Sequence, residues 1–148
     1  MGIYLRTAIL AEPLDAYGLL TEVGADENGA SNLFLGVTRN HHQERAVKGL
    51  EYTCYLPMAL AELERIAHEV AEHHSINRFV VLHRIGEVPI GEVSLAVAAG
   101  AHHRHQVLNG TLEFIDKLKQ DVPIWKREYF EDGTIGWVEG TNIEPASQ

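Results

Sequence analysis

The sequence predicts an α+β fold: one domain with a mixed or largely antiparallel β-sheet, two longer helices and a C-terminal hairpin. Three observations carry this expectation. Segments with period-two alternation outnumber segments with helical period, several are joined by short polar turns, and 148 residues at 45% hydrophobic composition suffice for one core. Residues 1–148 are therefore read as a single domain, with a polar tail read as loose from about residue 140.

Residues 3–10 alternate weakly and are assigned to a first strand, after which Pro13 to Val23 has the proline and leucine spacing of a short helix ending at Gly24. Asp26-Glu27-Asn28-Gly29 is a turn. Ala30 to Arg39 reads as a strand with Leu33, Leu35 and Val37 on one face and Phe34, Gly36 and Thr38 on the other. Gly36 leaves room for a close backbone or ligand approach. Arg39 ends this strand, either free to fork onto a phosphate or simply in water. His41-His42-Gln43-Glu44 is read as a polar loop, followed by a strand from about Ala46 to Tyr55.

Pro57 opens the clearest helix, in which Ala59, Leu63, Ile66 and Val70 recur at helical spacing as a core-facing stripe. A strand follows over Ile76 to Ile85, then another over Glu92 to Ala99 with Val93, Leu95 and Val97 on one face. His102, His103 and Arg104 precede a helix over about Gln106 to Gln120, where donors at the helix start are placed to hold an anion. On a wheel of about 100° per residue with Leu108 at zero, Leu112 lies at about +40°, Ile115 at about −20° and Lys119 at about +20°. Lys117 falls on the opposite face and reads as solvated. Lys119 lies inside the apolar stripe, so it either snorkels at the helix C-terminus or projects into a pocket that holds an anion.

Val122-Pro123-Ile124-Trp125-Lys126-Arg127-Glu128-Tyr129 reads as a strand that starts at a proline. Alternation places Ile124, Lys126 and Glu128 on one face and Trp125, Arg127 and Tyr129 on the other. The spacing allows the amines of Lys119 and Lys126 to meet where the chain turns back. Glu131-Asp132-Gly133-Thr134 then marks a terminal hairpin between Tyr129 and Trp137.

Charge is unevenly distributed. Ala101 to Glu128 holds five of the twelve Lys and Arg residues against four carboxylates, so this stretch carries +1 while the rest of the chain carries −10. A basic island on an acidic body suits a small anion rather than a nucleic acid, and a net charge of −9 argues against nucleic acid or anionic membrane as partner. With no cleavable signal, no apolar run of membrane-spanning length and one cysteine, Cys54, the expected location is the cytoplasm. Cys54 lies in an alternating apolar strand and reads as structural. His68-Glu69-Val70-Ala71-Glu72-His73 approaches the zinc-protease HExxH pattern, but its second histidine is five residues on, off the first one's face, so no such site follows. Histidine-based metal binding stays an alternative, against the simpler reading of surface histidines without a supporting cysteine set.

Pro123-Ile124-Trp125-Lys126-Arg127-Glu128, preceded by IDKLK and HHR and accompanied upstream by FLGVTRN and HRIGEVPIGE, resembles the large, catalytic subunit family of molybdopterin synthase. The resemblance runs from about Gly29 to Trp137 in the family's motif order. It implies a hammerhead-like α+β domain and a sulfurtransferase of molybdenum cofactor biosynthesis. In that reaction a small ubiquitin-like subunit threads its C-terminal glycine thiocarboxylate into the large subunit. Its sulfur passes to cyclic pyranopterin monophosphate, and two rounds build the dithiolene.

The resemblance further implies that Lys119 and Lys126 are the catalytic pair, that Arg39, His103 and Arg104 bind substrate, and that Val37, Thr38, Arg127 and Glu128 line the pocket, with Phe34 as a further lining residue. No cofactor and no metal are required. The expected assembly is a homodimer flanked by two small subunits, a heterotetramer. Thr38 stands where the family usually has valine, and no Lys or Arg follows Arg127, where family members often have a basic residue near the C-terminus. A binding module that accepts a ubiquitin-like tail without catalysis is the alternative function.

Overall fold

The structure, a computed structural model, describes residues 2–137; the tail expected to be loose from about residue 140 lies outside the described residues. The elements run β1 (Tyr4–Leu10), α1 (Leu19–Glu22), β2 (Ala30–Val37), β3 (His41–His42), β4 (Arg45–Cys54), α2 (Leu56–His73), β5 (Arg78–Arg84), β6 (Gly86–Pro89), β7 (Val93–Ala101), α3 (Arg104–Asp121), β8 (Ile124–Phe130) and β9 (Ile135–Trp137). They form two sheets. One has the order β1-β5-β7-β2, with β1 parallel to β5 and the other pairs antiparallel; the other has the order β3-β4-β8-β9, with β6 also paired to β4. The α+β class, the longer helices α2 and α3 and the β8–β9 hairpin are as the sequence predicts.

Both faces of the four-stranded sheet are covered, which explains why Phe79-Val80-Val81-Leu82 of β5 is continuously apolar. On one face α2 and α3 bury Leu63, Ile66, Val70, Phe114 and Leu118 against Phe79, Val81 and Val97. Phe79 and Phe114 meet edge-to-face at 5.4 Å. On the other face the segment around α1 places Ala16, Leu19 and Val23 over Val80, Leu82, Ala96 and Ala98. The small residues of β7 let this segment lie close: a Cβ on Gly100 would stand 2.2 Å from the Val23 carbonyl oxygen.

Four expectations are corrected. The helix expected over residues 13–23 is helical only from Leu19 to Glu22. Gly18 precedes it, and so short an apolar segment gains more from lying on the sheet than from an isolated helix. His41-His42 is not loop but β3, paired to Arg45-Ala46 through a two-residue turn whose Gln43 and Glu44 have φ of 51° and 66°. That is the turn geometry hairpins favour, occupied by residues that do not advertise it. Gly36 and Val37, expected on opposite faces, stand at a β-bulge: they pair with Leu95 and Val93, which leaves Ser94 of β7 as the extra residue. Finally, the stripe of Leu108 and Leu112 on α3 does not face the core: these residues are 55% and 61% exposed, while Val107, Gly110, Thr111, Phe114 and Leu118 are buried. Lys117 stays at the surface as expected, where it pairs with Glu69 of the neighbouring α2 at 2.8 Å.

Candidate active site

A cavity of about 370 Å³ opens where the two sheets meet the C-terminal half of α3. Strand period supplies its β8 wall: Ile124, Lys126 and Glu128 all line it, whereas Arg127 and Tyr129, on the opposite face, engage Glu51. At the bulge the consecutive β7 residues Ser94 and Leu95 both line it, beside the end of β2. Phe34, Gly36, Val37 and Arg39 line the cavity, while Thr38 is buried outside its lining. From α3 come Ile115 and Lys119, at the end of the stripe that begins at Leu108, and the edge of the buried Leu118. Lys119 and Arg39 are exposed and Lys126 is half-buried.

The cavity is electrostatically lopsided. Arg39, Lys119 and Lys126 all line it, and among the described residues none of them has an ion-pair partner. Burial pulls the Lys126 ammonium below the usual lysine range, the positive charges of Lys119 and Arg39 push the same way, and Glu128 opposes them. Glu128 is itself buried and committed elsewhere, with its Oε1 2.5 Å from His42 Nδ1. Desolvation raises the Tyr52 phenol, which stays neutral and donates to Ser94 Oγ at 3.3 Å. His83 is buried against Tyr52 with ring centroids 5.2 Å apart. Fixed cations facing apolar surface form a place where two negative groups can be held together, beside an amine shifted towards proton transfer.

The structure therefore brings Lys119, Lys126, Arg39, Val37, Phe34 and Glu128 to one cavity. Thr38, Arg127, His103 and Arg104 are not among its lining residues. Arg127 is held by Glu51 outside it. His103 and Arg104 sit at the start of α3, where the His103 backbone N–H donates to Gln106 Oε1 at 3.0 Å; at 1.5 Å rise per residue Arg104 is roughly 22 Å from Lys119 along the helix. His42, Tyr52, His83 and Ser94 escaped sequence reasoning. The HRIGEVPIGE motif was the one available signal for His83, while His42 was hidden by the unrecognised hairpin. The histidine groups behave separately: among the described residues His73, His74 and Glu113 are the group whose ligand atoms come within 4.8 Å, at the surface between α2 and α3, with Lys117 3.7 Å from Glu113.

The chain is similar to known proteins over most of its length. The family model described as MoaE protein matches residues 9–121. A molybdopterin synthase catalytic subunit from Emericella nidulans is 42% identical over 138 residues, covering 93% of this chain and 71% of that one. A crystal structure of molybdopterin synthase from Staphylococcus aureus superposes with a TM-score of 0.81 at 29% identity, covering 88% of this chain and 94% of that one. A complex of subunits 1 and 2 of molybdopterin-converting factor from Helicobacter pylori shares the fold, with a TM-score of 0.69 at 23% identity over 90% of this chain and 89% of that one.

Proposed function

Since the chain belongs to the MoaE family, that of the molybdopterin synthase catalytic subunits, we propose that it transfers sulfur from the C-terminal glycine thiocarboxylate of a small ubiquitin-like subunit to cyclic pyranopterin monophosphate. The observation that carries this reading is the cavity with Arg39, Lys119 and Lys126 in its wall and no ion-pair partner for any of them among the described residues. Thiocarboxylate and phosphate are both anions and repel each other, so carbon–sulfur bond formation needs cations fixed in advance where the two meet. Lys119 and Lys126 are the pair assigned to this task. One holds the thiocarboxylate, and the other exchanges a proton as the pterin side chain is attacked and the cyclic phosphate opens. Arg39 clamps the phosphate; Val37, Phe34 and Glu128 shape the wall.

His103 and Arg104, proposed as substrate-binding, act in this scheme from a second copy of the chain, since their own α3 holds them far from Lys119. The working assembly is a homodimer with one small subunit on each copy, in the cytoplasm. The exposed Leu108–Leu112 stripe beside the cavity is available for such contacts.

The test mixes this protein, a thiocarboxylated small subunit and cyclic pyranopterin monophosphate, and measures molybdopterin. Lys119→Ala and Lys126→Ala are each expected to lower formation at least 10²-fold with the thermal melt unchanged in shape. Wild-type activity in both variants overturns the reading, and partner binding without product by the wild type marks a binding module instead.

A further inference from the structure

The motif HRIGEVPIGE contains more than its fold requires. Arg84 and Glu92 account for its two ends, because the Arg84 guanidinium donates to Glu92 Oε1 at 2.7 Å. His83 has no such structural errand. It lines the cavity next to Lys126, and its side chain is almost entirely buried.

The ring is fixed at two points. Nδ1 lies 2.8 Å from the Arg84 backbone carbonyl oxygen, which can only accept, so Nδ1 carries the proton and Nε2 is the lone pair. Tyr52 meets the ring edge-to-face and spends its own hydroxyl on Ser94. Nε2 has no hydrogen-bond partner among the described residues. A buried imidazole with one nitrogen anchored and the other left as an acceptor is built to exchange a proton rather than to fill space.

We infer that His83 is a further catalytic residue of the sulfur transfer proposed above: its neutral ring takes up one proton at Nε2 when anionic substrate enters the cavity, and gives that proton to the oxygen displaced from the pterin side chain. The inference rests on the sulfur-transfer reading. The step balances. The carbon–sulfur bond forms as the carbon–oxygen bond breaks, the electron pair of the broken bond stays on oxygen, oxygen takes the Nε2 proton, and the imidazole returns to neutral.

The surroundings set the switch. Burial holds the His83 imidazolium down to about 4 and the charge on Lys126 adds to the effect, although the Arg84 carbonyl favours the charged ring. The other charged and titratable groups of the cavity are Arg39, Lys119, His41, Tyr52 and the His42–Glu128 pair. The cations among them oppose protonation. Anionic substrate reverses the balance, and the burial that penalises an unpaired imidazolium also leaves its attraction to a neighbouring anion poorly screened. His83 thus provides a second proton carrier and lets a lysine stay charged while substrate is held.

His83→Asn tests this, because the asparagine amide can still donate to the Arg84 carbonyl but cannot hold a proton in place of Nε2. Titration of cyclic pyranopterin monophosphate at pH 7 in two buffers of different ionisation enthalpy is expected to show uptake of about one proton per wild-type protein and about none in His83→Asn. The variant is expected to lose kcat about 10²-fold or more with KM changed only a few-fold, and to lose the fall in rate on the alkaline side. Wild-type proton uptake and kcat in the variant overturn the inference, whereas absence of product from the wild type overturns the sulfur-transfer reading instead. Should the variant melt early, ¹⁵N spectra of the wild-type histidines decide: His83 Nε2 moves to its protonated shift on adding cyclic pyranopterin monophosphate, and an unmoved resonance overturns the inference.

Discussion

Val37 and Thr38 are both expected to line the pocket, and the structure separates them beside the β7 bulge. Val37 lines the cavity as expected, whereas Thr38 does not, being 2% exposed with its Oγ1 buried and without a hydrogen-bond partner in the described structure. A stranded hydroxyl costs about 1–3 kcal/mol, so Thr38→Val, nearly the same shape, is expected to be neutral or to stabilise by about 1 kcal/mol in urea denaturation without lowering product formation. Destabilisation by more than about 1 kcal/mol would show that the hydroxyl has a partner. Lys126, by contrast, was legible from period alone, because β8 runs unbroken through Ile124, Lys126 and Glu128 and two-residue alternation leaves no choice of face.

At the scale of elements, α1 and α3 show how packing chooses between stripes that look alike in one dimension. On α3 the leucines at 108 and 112 are the conspicuous apolar residues, yet the core takes Val107 and Phe114 with the small Gly110 and Thr111 between them. A Cβ on Gly110 would come 2.4 Å from Ile76 Cδ1, so the small residues set how closely the helix approaches. Shape outranked hydrophobicity. The same closeness governs α1 over β7: at Gly100 the obstructing atom is the backbone carbonyl oxygen of Val23, which has no rotamer in which to escape. Gly100→Ala is expected to cost about 3 kcal/mol or more, read as a lowered urea midpoint, because the α1 segment must lift from the sheet. A change below about 1 kcal/mol would mean that the α1 segment lifts from the sheet at little cost.

For the molecule as a whole, the opposing demands of core and cavity appear in the response to acid. His83 titrates near 4 in the folded state and near 6.5 when unfolded, so between these values the unfolded chain binds more protons and stability falls as pH falls. The loss begins below about pH 6.5 and is complete below about pH 4, amounting to about 3 kcal/mol at most. Glu22, held below the carboxylate range by the Arg6 guanidinium, and Glu51, held there by the Tyr129 hydroxyl and Arg127, withdraw further stability as pH drops through their lowered values. Urea midpoints from pH 7 to pH 4 are expected to fall for the wild type and to fall less for His83→Asn. Parallel curves for the two proteins would remove His83 from the account. Ile124 of the second sheet joins the core under α2 and α3, with Tyr52 and Cys54 packed against it, and one unfolding transition by fluorescence and circular dichroism is the outcome expected of a single domain.

Local chemistry was enough to determine the order and kind of most elements, the one-sided face of β8 and the concentration of cations in an acidic chain. It also sufficed for the family resemblance through FLGVTRN, HRIGEVPIGE and PIWKRE. These are properties of residues a few positions apart, fixed by backbone period and charge count. Tertiary structure alone decided which stripe of α3 faces the core, that His42 reaches Glu128 across 86 residues of chain, and that His83 and Tyr52 share a wall with Lys126. It also kept Arg127, His103 and Arg104 away from the cavity of their own chain. The physical reason is that a bulge shifts facing by one residue and a helix can present any of several stripes, and only the simultaneous packing of both sheets selects among them.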